Sequence, residues 1–280
     1  MRFVAVGDVL VDVLSGEAPR AGERAHGQVT IRAGGSAATA AVWAAALDAT
    51  ARVVGRVGSD PAGELITGVL TGRGIEADLA RDPDVPTGAA IALGTGTSIA
   101  APEASARLAP DDVPDPLDGD VLLVSGFSLF QDSSAPGARA ALERFVGKWA
   151  AIDLASPRLA GAAAARFEET TAGANVVLAT VDEARAVTGL GQEAAALALG
   201  ARFEVACVKL GGQGALAAQG DRLVRAKTDP VAHRSPFGAG DAFAAALLIA
   251  LARGQPLEHA LDLACQTGAR AAASADGWPA

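Results

Sequence analysis

The amino-acid sequence predicts an α/β fold in which a mostly parallel β-sheet lies between layers of helices. Six short apolar runs, each the length of a buried strand, alternate with alanine-rich stretches of helical length. Two further segments, residues 16–32 and 85–100, carry strand-like residues such as Val29-Thr30-Ile31 without a following helix. These two segments predict a small accessory sheet beside the main one.

The predicted elements follow one another in chain order. The apolar runs that predict strands are residues 3–6, 52–57, 121–124, 150–152, 176–178 and 205–208. The stretches that predict helices are residues 36–46, a helix opened by Asp60 and Pro61, and residues 135–146, 193–199, 242–252 and 257–273. Asp60 before Pro61 is typical of a helix start, because Asp caps free amides and Pro lacks an amide proton.

Length and composition bound the class of protein. The chain has 280 residues, 50% of them hydrophobic, which is enough for a substantial core. Its apolar stretches fall short of the roughly 18 to 20 residues needed to cross a bilayer. The formal net charge of −9 opposes nucleic-acid binding, because attraction to phosphates needs a basic surface. We therefore expect neither a membrane nor a nucleic acid as partner.

The amino terminus and the cysteines add two expectations. Residues 1–14 resemble a buried strand that enters a turn rather than a signal sequence, so we expect a cytoplasmic protein. Cys207 and Cys265 lie in apolar contexts without paired spacing, which argues against a disulfide framework or a structural metal site. The three histidines are too scattered along the chain for metal-ligand spacing.

The sharpest local motif is Gly238-Ala239-Gly240-Asp241, which an apolar helix follows directly. Glycines permit a tight turn, and the first amides of a helix point free N–H groups at one spot, which creates an anion site. An Asp at that helix start is placed to accept a proton from an attacking hydroxyl group. The alternative interpretation is a glycine turn with an Asp cap.

Two other glycine motifs stand at the ends of predicted strands. Residues 209–215, KLGGQGA, follow the strand at residues 205–208, where open α/β sheets bind ligands. The sequence does not fit a Walker A loop, and the alternative is a hairpin turn between strands. Residues 32–40, RAGGSAATA, join a predicted strand to a long helix. Paired glycines there suit a hinge or the close approach of a substrate.

Taken together and in this order, these motifs resemble the ribokinase-like (PfkB-type) carbohydrate kinases along nearly the whole chain. The resemblance runs through GDVLVD (residues 7–12), AGGSAATAA (33–41), VGRVGSDPAGELITGVLTGRGI (54–75), TVDEARAVTG (180–189), VKLGGQGA (208–215) and FGAGDAFAAALL (237–248). It implies a three-layer α/β/α sandwich with a mostly parallel central sheet and a small β-sheet lid. It also implies a single kinase domain, residues 1–280, with lid segments at roughly residues 13–33 and 85–105.

On the acceptor side, the resemblance implies that Asp12 holds sugar hydroxyls, because a carboxylate accepts two such hydrogen bonds. The alternative is a solvated loop carboxylate, and Asp8 is expected to be a turn residue. Gly34 and Gly35 match the glycine hinge beside the sugar in this family. Thr39 stands where the family usually has Asn, so the usual contact to a hydroxyl group is expected to be lost or replaced.

At the catalytic turn, the resemblance implies that Asp241 is the base and that the amides of residues 238–241 neutralise the transferred phosphoryl group. The Gly238, Ala239 and Gly240 positions of the family motif are intact. Just upstream, the family commonly carries Asp-Thr-Thr, whereas this chain has Ser235-Pro236-Phe237. Pro236 has no amide proton, so an anion site must rely on residues 237–241.

On the nucleotide side, the resemblance implies that Lys209, Gly211 and Gly214 contact ATP. The alternative for Lys209 is that its stem is simply buried. Cys265 and Gly268 match the helix that flanks the adenine pocket, although ordinary helix packing explains small residues there equally well. Glu183 matches the Glu of a family motif associated with Mg²⁺ and phosphate through water, but Thr180 and Glu183 also fit a helix-capping box.

The function implied is transfer of the ATP γ-phosphoryl group, with Mg²⁺, to a primary hydroxyl of a sugar, sugar acid or related polyol. Two alternatives remain open at this point: a nucleoside kinase of the same family, and a kinase-like protein that binds a ligand without catalysis. The expected partner is a small molecule. A homodimer through the lid is a further expectation, because pairing would cover the exposed edges of the lid strands.

Overall fold

A computed structural model of the protein describes residues 1–18, 20, 22–24, 26–94, 97–232 and 237–279, the side chain of Thr97 excepted. The strands in these ranges are β1 Arg2–Val6, β2 Leu10–Ser15, β3 Val29–Gly34, β4 Thr50–Gly58, β5 Glu76–Asp82, β6 Thr87–Leu93, β7 Thr97–Glu103, β8 Leu117–Asp118, β9 Val121–Ser125, β10 Phe145–Val146, β11 Trp149–Asp153, β12 Val176–Thr180, β13 Val205–Lys209, β14 Ala215–Gln219 and β15 Arg222–Ala226.

The α-helices of the described chain are α1 Ser36–Ala46, α2 Pro61–Gly72, α3 Gly126–Leu129, α4 Ala135–Arg144, α5 Pro157–Ala162, α6 Phe167–Thr170, α7 Val181–Thr188, α8 Gln192–Gly200, α9 Ala239–Ala252 and α10 Leu257–Ala273. Short 3-10 turns lie at Ala104–Arg107, Pro110–Asp112, Ala164–Arg166 and Gly211–Gln213. Within the described residues, no helix combines the length and the apolar character that a membrane span requires.

The central sheet of the described chain has nine strands in the order β15-β14-β13-β12-β11-β9-β1-β4-β5. From β12 to β5 the neighbouring strands are parallel, as is the pair β12–β13, whereas β13, β14 and β15 form antiparallel hairpins. The carboxyl ends of the parallel strands therefore meet at one edge of the sheet, where open α/β sheets hold their ligands.

Helices cover both faces of the central sheet, because its inner strands are apolar on both sides. In β1, Phe3 and Ala5 pack into one core, whereas Val4 and Val6 pack into the other. The first core includes buried side chains of α1, α2, α9 and α10, and the second includes those of α4, α5, α7 and α8. This arrangement is the three-layer sandwich that the resemblance implied.

A separate four-stranded sheet, here called the lid sheet, has the order β3-β2-β6-β7. The accessory sheet predicted from residues 16–32 and 85–100 is thus confirmed, although one of its strands, β2, lies wholly before the first of these segments. In register across this sheet, Asp12 lies opposite Arg32 and Ala90, and Ala90 lies opposite Ala100. We call this row the inner row, because three of its four members line a cavity described below.

Several element bounds agree with the sequence, and the exceptions have physical reasons. The helices predicted at residues 36–46 and 257–273 have those bounds in α1 and α10. Helix α4 ends at Arg144, because Phe145 is extended and pairs with Leu117 in β8. Strand β5 was not predicted, since its sequence EADLARD lacks an apolar run; it is a half-buried edge strand.

Candidate active site

The first turn of α9 forms the centre of the site. Its N-cap, Gly238, has φ 97°, and the first backbone hydrogen bond of the helix runs from the Ala242 N–H to the Gly238 carbonyl at 2.9 Å. The amides of residues 239–241 therefore lie ahead of the helical ladder. A Cβ atom on Gly238 would lie 2.5 Å from the Gly277 oxygen, so this position requires glycine for two reasons.

Two cavities lie on opposite sides of this turn. The first, with a volume of about 670 Å³, is lined by Gly238 and Asp241 among others. The second, of about 740 Å³, is lined by Ala239 and Gly240 among others. The first turn of α9 is thus a shared wall, with the Asp241 carboxylate on the side of the first cavity. We call the two spaces the acceptor cavity and the nucleotide cavity, after the roles proposed below.

The acceptor cavity lies between the lid sheet and the carboxyl end of the central sheet. It brings together Asp12, Gly35, Thr39 and Asp241 from the residues singled out in the sequence. It is further lined by Asp8, Leu10, Ser36, Ala90, Ser98, Ile99, Ala100, Pro102, Phe127, Gln131, Ser156, Arg158, Leu159, Phe237 and Gly238. Hydroxyl, amide and carboxylate groups are thus combined with apolar side chains, which is typical of a small-molecule site.

Gly34 does not line the acceptor cavity but packs beneath it. A Cβ atom there would lie 2.1 Å from Asp12 Cγ, so only glycine leaves room for the Asp12 carboxylate. Gly35 has φ 86°, and a Cβ atom on it would lie 2.3 Å from the Asp8 carbonyl oxygen. The paired glycines therefore permit a close approach between β3, α1 and the loop after β1.

Asp12 is a buried residue of β2 and not a solvated loop residue. Arg32 Nη2 donates a hydrogen bond to its Oδ2 at 2.8 Å, and both side chains are buried. Burial raises the pKa of Asp12 to about 6, although the positive charge of Arg32 opposes that rise. Asp12 therefore has one oxygen held by Arg32 while its side chain lines the acceptor cavity.

Asp8 belongs to the site, which the sequence reasoning did not anticipate. It lies between β1 and β2, where a turn residue was expected, but it is buried and lines the acceptor cavity. It accepts hydrogen bonds from the Ser36 amide at 2.8 Å and from Ser125 Oγ at 2.5 Å. Its position after the first parallel strand was a usable signal, because carboxyl ends of such strands line ligand sites.

Asp241 lies near other negatively charged side chains. Burial raises the pKa of its carboxyl group well above the usual range, and the negative charges of Asp153 and Asp8 act in the same direction. The positive charge of Lys209 and a hydrogen bond with the Ser36 side chain oppose that rise. A carboxylate with a raised pKa is a stronger proton acceptor once ionised, which suits a general base.

The nucleotide cavity brings together Lys209, Gly211, Gly214, Cys265 and Gly268, all of which the sequence analysis singled out for this side. The turn after β13 is also the hairpin to β14, so both interpretations of that motif describe the same loop. A Cβ atom on Gly268 would lie 3.1 Å from the Ala239 oxygen, so this glycine also serves helix packing. Residues 228–231 line the cavity too and were not anticipated.

Lys209 forms an ion pair with Asp153, a second residue missed in the sequence. The Lys209 Nζ atom lies 2.8 and 2.6 Å from the two Asp153 carboxylate oxygens. Although burial lowers the pKa of Lys209, the charges of Asp153 and Glu183 outweigh burial and raise it. The ammonium group is therefore charged, and its Nζ lies 3.5 Å from where a Cβ atom on Gly240 would be.

Glu183 forms the capping box that was one of its two interpretations. Its Oε2 accepts a hydrogen bond from the Thr180 amide at 2.7 Å, and the Thr180 hydroxyl caps the Glu183 amide. Burial raises the pKa of Glu183, and the nearby charge of Asp153 adds to the rise. In the described part of the chain, no three His, Cys, Asp or Glu side chains cluster as a metal site.

One of the three histidines, His233, lies outside the described residues, as do Ser235 and Pro236 upstream of the glycine turn. Phe237, which follows them, lines the acceptor cavity.

The family model described as pfkB family carbohydrate kinase matches residues 2–276. No curated protein sequence is significantly similar to the chain. The chain is a kinase. It belongs to the PfkB family of carbohydrate kinases, as the sequence resemblance indicated.

Solved structures with the same fold include enzymes for different acceptors. The adenosine kinase from Sinorhizobium meliloti has 21% identity and a TM-score of 0.87, over 99% of this chain and 95% of that chain. A fructokinase double mutant from Vibrio cholerae O395, in a form bound to fructose, ADP and potassium ion, has 25% identity and a TM-score of 0.84, over 99% and 93%. The aminoimidazole riboside kinase from Salmonella enterica has 21% identity and a TM-score of 0.79, over 99% and 95%.

Proposed function

We propose that this kinase transfers the γ-phosphoryl group of ATP to a hydroxyl group, preferably a primary one, of a sugar, sugar acid or related polyol. The observation that carries this proposal is the position of the first turn of α9 between two cavities. The Asp241 carboxylate lies on one side of that turn, and Ala239 and Gly240 lie on the other. A base and main-chain donors on either side of one point suit in-line phosphoryl transfer.

The acceptor is proposed to bind in the acceptor cavity, with Asp12, Gly35, Thr39 and Asp8 around it. The carboxylates accept hydrogen bonds from hydroxyl groups, and the Thr39 hydroxyl group offers both a donor and an acceptor. Gly34 acts indirectly, because it makes room for Asp12. A polyol with several hydroxyl groups satisfies these buried polar atoms better than an apolar compound does.

ATP is proposed to bind in the nucleotide cavity. Lys209 supplies a partly buried positive charge, and Gly211 and Gly214 let the main chain approach the phosphates. Cys265 and Gly268 leave space beside the adenine ring. The fructokinase double mutant from Vibrio cholerae O395, with 25% identity, was solved with bound ADP, which supports nucleotide binding by this protein too.

Mg²⁺ is the divalent cation that we propose for the site. When bound, it neutralises charge on the phosphates. The local excess of negative charge fits a cation, since Asp153 raises the pKa of both Glu183 and Asp241 despite the neighbouring Lys209. Glu183 is proposed to hold the ion through water, because its own oxygen already caps α7.

The chemical step assigned to this chain is removal of a proton. Ionised Asp241 accepts the proton of the acceptor hydroxyl group as its oxygen bonds to the γ-phosphorus and the bond from that phosphorus to the β,γ-bridging oxygen breaks, which releases ADP. The amides of residues 238–241 donate hydrogen bonds to the phosphoryl oxygens, whose negative charge they offset. The lid sheet covers the acceptor and limits its contact with water. Its strands include residues of both predicted lid segments.

A nucleoside is the second candidate acceptor, and one feature favours it. Phe127 and Leu159 both line the acceptor cavity and neither is fully buried, with Phe127 37% exposed. Exposed apolar side chains beside a polar pocket suit a ligand with a ribose and a flat base. The replacement of the usual family Asn by Thr39 is consistent with a changed acceptor.

We further propose a cytoplasmic, single-domain enzyme that dimerises through the outer face of the lid sheet. In register, Ile31, Val13, Ile91 and Ile99 form a row on that face, and three of them are at least 40% exposed. A second copy of the chain would cover this row. Replacing Ile31 by Glu should convert the dimer to a monomer in solution. Val146→Glu, on the exposed β10, is the control and should leave the dimer intact. A wild-type protein that is a monomer in solution would refute the proposed dimer.

The function is tested by a phosphorylation screen. The purified chain is incubated with ATP, Mg²⁺ and single members of a panel of sugars, sugar acids and nucleosides, and ADP formation is measured with and without each acceptor. Acceptor-dependent ADP formation with a sugar or sugar acid supports the main proposal, and formation with a nucleoside alone supports the second candidate. If no member of the three classes raises ADP formation, both proposals fail.

A further inference from the structure

Arg32 occupies one end of the inner row of the lid sheet, beside the acceptor cavity. Its neighbour in the row is Asp12, and their side chains are 6% and 5% exposed. The pair is therefore a buried charge pair, and Asp12 is its member that lines the cavity. Arg32 Nε and Nη1 are buried without a hydrogen-bond partner, so Asp12 supplies the only hydrogen bond to the guanidinium group within the described chain.

The other contact that fixes the Arg32 guanidinium is an aromatic ring from the far end of the chain. The guanidinium carbon lies 4.9 Å from the ring centre of Trp278, and that of Arg73 lies 4.8 Å from the same ring. Trp278 is itself buried. Guanidinium groups stack favourably on indole rings, and the contact restricts an otherwise flexible side chain.

The segment that carries Trp278 is held at several points. The Gly277 amide donates to Ser274 Oγ at 2.6 Å, and Trp43 Nε1 donates to the Gly277 oxygen at 2.9 Å. The Trp278 amide donates to Asp276 Oδ1 at 3.1 Å. The position of the ring therefore depends on α1 and on the end of α10. These hydrogen bonds hold the Trp278 ring in one place beside Arg32.

We propose that Trp278 and Arg32 are positioning residues that set the orientation of Asp12 toward the acceptor, an inference that rests on the proposed function of the acceptor cavity. Trp278 holds the guanidinium plane, Arg32 holds Asp12 Oδ2, and the second oxygen of Asp12 is presented to an acceptor hydroxyl group. Gly34 leaves the carboxylate the space for this orientation. Selectivity for the acceptor thus depends on a residue near the carboxyl end of the chain.

The test compares Trp278→Leu with Arg73→Gln. Both remove the stacking of an arginine on this ring, but only the first releases Arg32. We expect Trp278→Leu to raise KM for the acceptor at least tenfold, with KM for ATP unchanged, because a hydrogen bond to a charged group is weakened. Arg73→Gln should leave both constants within twofold. An unchanged acceptor KM in Trp278→Leu, or an equal rise in both constants, overturns the proposal.

A second readout does not require a known acceptor. The pKa of the Asp12 carboxyl group is measured by carbon NMR during a pH titration of the full chain. The charged groups that act on Asp12 are Arg32 and Asp8, and Arg32 is itself influenced by Asp276 and Asp241. Trp278→Leu should raise the Asp12 pKa above about 6, as Arg32→Lys should to a smaller extent, and Arg73→Gln should not. An unchanged pKa in folded Trp278→Leu overturns the positioning role, whereas a failed acceptor screen alone overturns only the proposed function.

Discussion

Replacing Asp241 by Asn tests the proposed base directly. Asn has nearly the same shape and keeps an oxygen that can accept the hydrogen bond from the Ser36 side chain, but it cannot take up the acceptor proton. General bases contribute about 10²- to 10⁴-fold to rate, which corresponds to about 2.7 to 5.4 kcal/mol of activation free energy. We therefore expect kcat to fall by about that factor with the acceptor found in the screen.

The same substitution should lower kcat without lowering stability. A loss of the chemical step can therefore be distinguished from a loss of folding. The pKa of Asp241 is raised in the folded state, so its contribution to stability is full below the unfolded pKa of 3.8 and is lost as pH rises through the folded pKa. Above that pH the wild type carries a partly buried negative charge that Asn lacks. The variant should therefore be at least as stable as the wild type at pH 8, by urea unfolding.

The assay is ADP release coupled to NADH oxidation, measured from pH 5 to 9 at saturating ATP. Wild-type kcat/KM should rise with pH through a transition above the ordinary carboxyl range, because only ionised Asp241 accepts a proton. The residual activity of the Asn variant should lack that transition. An Asn variant that retains more than a tenth of wild-type kcat, or that keeps the same pH transition, would refute the assignment of Asp241 as base.

Three further predictions concern the turn, the metal and the nucleotide side. Gly238→Ala should lower the free energy of unfolding, measured in urea, by more than its control Gly254→Ala does. Both sites have a left-handed backbone, which costs about 1 kcal/mol with alanine, but only at Gly238 would the Cβ atom lie 2.5 Å from a carbonyl oxygen. Equal losses in the two variants would contradict this reasoning. Glu183→Gln should preserve the capping hydrogen bond and the unfolding midpoint but raise the Mg²⁺ concentration needed for half-maximal activity; an unchanged Mg²⁺ dependence would leave Glu183 a cap alone. Lys209→Met should leave Asp153 unpaired and cost about 3 to 5 kcal/mol of stability, and adding Asp153→Asn should restore stability without restoring KM for ATP; a double variant with normal KM for ATP argues against phosphate contact by Lys209.

The local sequence predicted two of the longer alanine-rich helices and the turns with special backbone needs. Helices α1 and α10 have their predicted bounds, and the glycines at residues 35 and 238 have the left-handed φ values that glycine permits. The order of the motifs along the chain indicated the family, which the match over residues 2–276 confirms. These signals are readable because each depends on residues close together in the chain.

Other features required the tertiary structure. Asp8 was expected to be a turn residue and Asp153 was not singled out, yet one lines the acceptor cavity and the other pairs with Lys209. The contact between Arg32 and Trp278 joins opposite ends of the chain. The sequence by itself indicated six of the nine central strands, the helices α1 and α10 and the glycine turn at the start of α9, whereas only the order of strands in the sheet decided which charged groups face one another. Burial and pairing of charges depend on spatial neighbours, and no local pattern encodes those neighbours.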